Sequence, residues 1–214
     1  MKNKSIVIVS ILVLAAIFIG ATSFYKKSET TSFEGMNQSE APFVRAHSMS
    51  MGDNKKNITV VEFMDPQCGA CAQFHKVVKE MYKNYYEDIR LVIRYLDNHR
   101  NSKYVIKILE SARNQNKYNE VLDVIFATQG IWAQHNNEKP ELVWQHLARI
   151  DDLDMKKLRA DFETINLDTM LSQDRADAGT LNVRGTPSFF VNGKKLERLS
   201  AQGFFDLVES EVYK

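Results

Sequence analysis

The chain has 214 residues, of which 44% are apolar and 26% are charged, so it is large enough for one domain with a hydrophobic core. Its formal net charge is +1, but four of its 28 basic residues are lysines that flank an apolar N-terminus. The other 24 are outnumbered by 27 acidic residues. This balance gives no basic surface suited to a phosphate backbone, and we expect no nucleic-acid partner.

Residues 1–27 have the pattern of a membrane anchor or a signal segment. Residues 6–24 carry no charge and lie between Lys2 and Lys4 on one side and Lys26 and Lys27 on the other. A spanning helix needs ~20 apolar residues, whereas the apolar part of a signal peptide has ~7 to 15, so the length favours an uncleaved anchor over a cleaved signal. The balanced lysines do not orient the segment, and the case for export rests on the chemistry below.

Residues 28–56 are polar, are rich in Ser, Thr, Asn and Met, and show little periodicity. The composition predicts a linker. An assembly element of an oligomer remains the alternative for the same residues.

The next segment predicts a strand, a helix and a second strand. Residues 58–64 form a β-branched and aromatic run typical of a central strand that is buried on both faces. A turn at Asp65 and Pro66 follows, and helical spacing then predicts a helix that begins near Cys68. Residues 89–96 are the second strand candidate, and such a unit normally forms a parallel pair with a right-handed crossover.

Residues 102–181 show helical spacing throughout and predict a helical insertion. Two short strand patterns flank Asn192-Gly193, which is a strong hairpin signal. Ser200 can then cap a final helix. The predicted fold class is therefore α/β.

The candidate active site is Cys68-Gly69-Ala70-Cys71, which contains the only two cysteines. Unpaired N–H groups and the helix dipole at a helix start stabilise a thiolate, so Cys68 is predicted to be the nucleophile. Cys71 lies one turn further along, on the apolar face, and is predicted to resolve the mixed disulfide.

A cysteine pair can also bind zinc, form a structural disulfide or bind copper(I). Zinc is disfavoured because no second pair completes four ligands. A structural disulfide is disfavoured because a two-residue gap closes too short a loop to stabilise the fold. A copper(I) site remains an alternative, since paired thiolates suit that ion.

Three stretches together resemble the DsbA family of bacterial exported thiol oxidoreductases. They are Val-Val-Glu-Phe at 60–63, Cys-Gly-Ala-Cys-Ala-Gln-Phe at 68–74 and Arg-Gly-Thr-Pro-Ser-Phe-Phe-Val-Asn-Gly at 184–193. The resemblance covers residues 57–214. It implies a thioredoxin-like fold (57–101 and 182–214) with an inserted helical domain (102–181).

The resemblance also implies roles for individual residues. Pro187 is expected to follow a cis peptide bond beside the cysteine pair, with Thr186, Gly69 and Ala70 in contact with the substrate chain. Glu62 is expected to be a buried acid that assists proton movement at the second cysteine. The alternatives are a trans proline opening an edge strand and a glutamate at an exposed strand end.

The predicted function is that of an exported thiol-disulfide oxidoreductase, periplasmic or otherwise extracytoplasmic and anchored by residues 6–24. Its expected partners are protein thiols and disulfides and a redox protein that regenerates it, with no cofactor and no metal. Gly69-Ala70 replaces the Pro-His of many family members, which predicts a weaker oxidant. A disulfide isomerase or reductase of the same fold is the alternative. His75, one turn past Cys71, is expected to be a surface or helix-side residue and not a general base.

Overall fold

Five short strands form a single sheet in the computed structural model, which describes residues 42–214. The strands are β1 (Met49–Met51), β2 (Ile58–Met64), β3 (Ile89–Tyr95), β4 (Ser188–Val191) and β5 (Lys194–Lys195). Their order across the sheet is β1-β3-β2-β4-β5. Strands β2 and β3 are parallel, and the other neighbours are antiparallel. The predicted α/β class is confirmed.

Helices follow the central strands and fill the long connection between β3 and β4. They are α1 (Gly69–Tyr85), α2 (Ser102–Arg113), α3 (Tyr118–Ala127), α4 (Gln129–Trp132), α5 (Val143–Leu147), α6 (Met155–Thr164), α7 (Asp168–Thr180) and α8 (Ala201–Val212), with a 3-10 turn at Pro140–Leu142 before α5. Helices α2 to α7 occupy the region whose spacing predicted helices. The fold is that of thioredoxin-like proteins with a helical insertion.

An aromatic cluster packs the last helix against α1 and β4. The ring centroids of Phe74 on α1 and Phe189 on β4 lie 5.2 Å apart, and Phe204 on α8 lies 4.5 Å from Phe189. Phe189 and Phe204 are almost fully buried. Burying a side chain of this size contributes ~1.5 to 3 kcal/mol, so the cluster holds β4 firmly beside the start of α1.

Two local predictions at the C-terminal end are confirmed. Asn192 and Gly193 have φ angles of 46° and 81°, the positive values that a tight hairpin turn requires. The Ser200 hydroxyl accepts a hydrogen bond from the Gly203 N–H at 3.1 Å and caps α8.

The segment predicted to be a linker differs from that prediction over its described part. Residues 49–51 form β1, which pairs with β3, and Met49 lies opposite Ile93. The backbone N–H groups of Asp53 and Asn54 also donate to carbonyl oxygens of residues 86 and 89. The described fold therefore includes residues 42–56 as well as the domain predicted from residue 57 onward.

A buried ion cluster explains why this polar segment folds. Arg94, on β3, donates to the carboxylates of Asp174 and Asp177 on α7, with a shortest distance of 2.6 Å to each. Its Nη1 donates to the carbonyl oxygens of residues 42 and 43. Arg45 completes the cluster with two hydrogen bonds to Asp177. Residues 42–45 thus supply hydrogen-bond partners for the buried charges of Arg94 and Asp177.

Between residues 42 and 214, no helix has the length and apolar character needed to cross a membrane. The anchor predicted for residues 6–24 lies outside the described residues.

Candidate active site

Cys68 occupies the position immediately before α1, where helix N–H groups have no partner within the helix. Its backbone is extended (φ −72°, ψ 122°), its N–H donates to the Asp65 carbonyl, and its own carbonyl accepts the Ala72 N–H at 3.1 Å. Cys71 follows in the first turn, on the face that packs into the core. Both thiols are free, with exposed fractions of 8% for Cys68 and 0% for Cys71.

The loop before β4 lies directly against the first cysteine. The Cys68 thiol donates a hydrogen bond to the carbonyl oxygen of Thr186 at 3.3 Å. The peptide bond between Thr186 and Pro187 is cis. The structure therefore brings residues 186 and 187 to the cysteine pair across the whole helical insertion.

The surroundings of Cys68 favour its thiolate. A hydrogen bond from the Cys71 thiol is the largest of the causes that lower the pKa of Cys68 to about 5, and burial opposes them. The Thr186 side chain and the backbone N–H groups of Cys71 and Ala70 act in the same lowering direction. These N–H groups lie in the first turn of α1, where the helix dipole also favours a negative charge.

Cys71 and Glu62 form the buried side of the site. The hydrogen bond to Cys68, burial and the nearby Glu62 carboxyl all raise the pKa of Cys71 well above that of an ordinary thiol. Glu62 lies in the middle of β2, is 5% exposed, and has its pKa raised to about 8 by burial. The alternative of an exposed strand-end glutamate is therefore wrong.

A small cavity of about 70 Å³ is lined by Glu62 and by residues of helices α1 and α3. Its lining includes Glu62, His75, Lys79 and Asp123. This volume has room for a few water molecules.

His75 lies on the side of α1, and its Nε2 lies 2.7 Å from a carboxylate oxygen of Asp123. Burial lowers the pKa of His75, and Asp123 opposes that shift. This is the helix-side position that the sequence suggested.

The two residues between the cysteines face solvent, and a groove lies nearby. Gly69 and Ala70 are exposed. An open groove lies along the cis peptide, and Arg184, Leu196 and Leu199 contribute to its wall. Leu199 is 43% exposed, which is high for a large apolar side chain.

Asp65 is a site residue whose role the sequence did not indicate, since it was read only as part of a turn. Its buried carboxylate accepts hydrogen bonds from the backbone N–H of Gln67 at 2.8 Å and of Asn98 at 2.9 Å. The Ser102 hydroxyl and the His99 ring also contact it, at 2.6 Å and 2.7 Å. Asp65 therefore ties the turn before Cys68 to the loop after β3.

The fold and this site together define a thioredoxin-like protein with a Cys-X-X-Cys centre. The family model described as thioredoxin matches residues 45–210. The chain belongs to the thioredoxin family.

The chain is also similar to parts of two longer proteins with different names. A protein of Rickettsia typhi named as a protein-disulfide oxidoreductase is 28% identical over 160 residues, which cover 72% of this chain and 58% of that protein. The Na(+)/H(+) antiporter NhaA of Herminiimonas arsenicoxydans is 28% identical over 145 residues, covering 68% of this chain but 22% of the antiporter. The chain thus spans less than two thirds of each of these relatives.

Solved structures with the same fold include DsbA-type proteins. The crystal structure of Wolbachia pipientis alpha-DsbA1 superimposes with a TM-score of 0.69 at 16% identity, covering 83% of this chain and 96% of that one. The predicted DsbA-like fold is confirmed.

Proposed function

We propose that this chain is an exported thiol-disulfide oxidoreductase that transfers the disulfide between Cys68 and Cys71 to cysteine pairs of other polypeptides. The observation that carries the proposal is the position of the Cys68 sulfur, at the start of α1 and 3.3 Å from the Thr186 carbonyl oxygen. The sulfur thus lies near the helix N–H dipoles and in contact with Thr186, which also lines the open groove.

The first step is attack by a client thiolate on the sulfur of Cys68 in the oxidised protein. The bond between the two cysteine sulfurs breaks, a mixed disulfide forms at Cys68, and Cys71 leaves as a thiolate. Because its surroundings raise the pKa of Cys71, this thiolate takes up a proton. Glu62 is buried beside it with a raised pKa of about 8, and we assign it the role of proton donor.

The second step releases the client. A second client thiolate attacks the client sulfur of the mixed disulfide, and Cys68 leaves as a thiolate. Its lowered pKa of about 5 makes it a good leaving group. The client gains one disulfide, and the protein is left with two reduced cysteines, so two electrons have passed from client to protein.

The groove beside the cis peptide is the proposed binding surface for the client backbone. Thr186 lines this groove and its carbonyl contacts the reacting sulfur, and the exposed side chain of Leu199 offers apolar contact. Gly69 and Ala70 present no bulky side chain on the other side of the sulfur. Such a surface suits unfolded polypeptides of varied sequence, because most of the contact is with backbone.

Each cycle leaves the cysteine pair reduced, so a partner must accept two electrons from it. We propose a second redox protein in this role. Running the same steps in reverse would give a reductase, and the depressed pKa of Cys68 supports the oxidising direction, because it stabilises the reduced state.

We also propose that the domain works outside the cytoplasm, tethered by residues 6–24. The support is the uncharged segment of near-spanning length in the sequence and the need of a disulfide donor for an oxidising compartment. Fractionation of cells tests this. Recovery in the membrane fraction supports the tether, and a soluble form that starts near Phe24 would instead show cleavage.

The activity is tested by mixing oxidised protein with a reduced, denatured polypeptide that holds two cysteines. We expect one client disulfide for each protein disulfide consumed. A protein that binds copper(I) tightly but leaves the client reduced would support the metal-binding alternative.

A further inference from the structure

Gln129, the first residue of α4, contacts the turn that carries Cys68. Its Nε2 donates hydrogen bonds to the carbonyl oxygens of Pro66 at 3.1 Å and of Cys68 at 3.2 Å. A side-chain amide nitrogen has two hydrogens, so both donors are used on this one turn. Gln129 belongs to the helical insertion and lies 61 residues from Cys68 in the sequence.

The position of Gln129 is set by the packing of the insertion. Trp132, at the other end of α4, is fully buried, and its indole N–H donates to the Ile125 carbonyl at 2.9 Å. The Thr128 hydroxyl donates to the Val124 carbonyl at 2.7 Å, where α3 passes into α4. These contacts hold the backbone of α4 in place, and they therefore fix the point from which the Gln129 side chain extends.

The two hydrogen bonds hold the backbone on both sides of Cys68, at the Pro66 carbonyl before it and at its own carbonyl after it. The carbonyl of Cys68 is shared between the Gln129 amide and the Ala72 N–H, which makes the first bond of α1. This sharing ties the peptide after Cys68 to both the insertion and the helix. The N–H groups of Ala70 and Cys71, which favour the thiolate, belong to the same first turn.

We propose that Gln129 is a positioning residue, which holds residues 66–68 so that the free N–H groups at the start of α1 face the Cys68 sulfur. The inference rests on the proposed function, because it gives the helical insertion a part in setting the reactivity of the redox pair. Gln129 acts through these backbone carbonyls and not by a hydrogen bond to either sulfur.

Three variants of Gln129 test the proposal. Gln129→Met keeps the length of the side chain and removes both donors. Gln129→Glu places an acceptor against two carbonyl oxygens. Gln129→Lys retains a group that can donate to both. The matched control is Gln134→Met, which loses a similar bond, from Nε2 to the Gly130 carbonyl at 3.1 Å, in the same segment.

The readouts are the pH titration of thiolate absorbance in the reduced protein and its equilibrium with glutathione. Gln129→Met should raise the midpoint of the Cys68 titration and make the disulfide less oxidising, changing the equilibrium constant about 3- to 10-fold. Gln129→Glu should shift both further in the same direction. Gln129→Lys and Gln134→Met should not raise the midpoint.

The proposal is overturned if Gln129→Met and Gln129→Glu titrate like wild type, even when their melting temperatures fall. Thermal unfolding of each variant separates loss of stability from a change at the sulfur. The absorbance titration needs no client protein. A wild-type protein that fails to oxidise a client would therefore end the proposed function without deciding the role of Gln129.

Discussion

The sulfur of Cys68 lies 3.3 Å from the carbonyl oxygen of Thr186, although 118 residues separate them in the sequence. The two residues belong to the two parts of the thioredoxin fold that the helical insertion separates. Their contact places residue 186 directly beside the sulfur that reacts in the proposed exchange. The chemistry of the first cysteine is thus set in part by the loop before β4.

Thr186→Val should raise the pKa of Cys68 from about 5, because the Thr186 side chain is one of the groups that lower it. Valine has nearly the shape of threonine but cannot donate a hydrogen bond. Thiolate absorbance against pH gives the midpoint. Thr186→Ser keeps the hydroxyl and should titrate like wild type, and an equal shift in both variants would speak against the hydroxyl as the cause.

Glu62→Gln should remove the pH dependence that the Glu62 carboxyl gives to the free energy of unfolding. Burial raises the pKa of Glu62 from 4.5 to about 8, so between these values the folded protein holds a proton that the unfolded chain has released. Wild type should therefore lose stability relative to Glu62→Gln as the pH rises through this window, by up to about 1.4 kcal/mol per unit. Above pH ~8 the difference should level off.

Denaturant unfolding of the oxidised proteins at several pH values measures this difference. The oxidised form is used because its cysteines do not titrate. In the reduced form, the depressed pKa of Cys68 adds stability that is lost as the pH falls towards 5, and this would mask the carboxyl. A constant difference between wild type and Glu62→Gln would show that Glu62 is not protonated at neutral pH.

Ala70→His should make the protein a stronger oxidant. Residue 70 is exposed in the first turn of α1, so an imidazole there can stabilise the Cys68 thiolate and hence the reduced state. The reduction potential should rise by about 20 to 40 mV, equivalent to ~1 to 2 kcal/mol for two electrons. Equilibration with glutathione measures it. An unchanged potential would mean that the residues between the cysteines do not set it, and a wild-type value at or below ~−270 mV would indicate a reductase.

Arg94→Met should destabilise the protein by ~3 to 5 kcal/mol, because it leaves the buried carboxylates of Asp174 and Asp177 with too little positive charge. Arg175→Met is the control. It breaks the ion pair of Arg175 with Asp97, in which the arginine side chain is 63% exposed, and should change stability by no more than ~1 kcal/mol. Urea unfolding of both variants makes the comparison, and equal losses would contradict it.

Local sequence signals were enough to predict the central elements of the fold. The apolar run of β2, the helical spacing of α1 and the Asn-Gly turn each act over a few residues, and each appears where it was predicted. Strand β1 could not be found in this way. It has three residues, Met-Ser-Met, and it is held by pairing with β3, while the ion cluster around Arg94 holds the residues before it, and both partners are far away in the sequence.

The same distinction applies to the site. Cys68 and Cys71 were visible from their spacing, and residues 186 and 187 from the family resemblance. Asp65 and Gln129 carried no such signal, because their hydrogen bonds join segments that only the folded chain brings together. An aspartate in a turn and a glutamine among helices are common, and only their partners distinguish these two.

The most direct test of the account is the behaviour of Cys71→Ser with a client that contains a disulfide. Cys68 should attack the client, release one client thiolate and remain linked in a mixed disulfide for longer than in wild type, because the Cys71 thiol that would displace the client is missing. We expect disulfide-linked complexes that disappear on adding reductant, with the link mapped to Cys68 by mass spectrometry. Cys68→Ser should form none. Complexes with Cys68→Ser but not with Cys71→Ser would reverse the roles of the two cysteines, and complexes with neither would contradict the proposed exchange reaction.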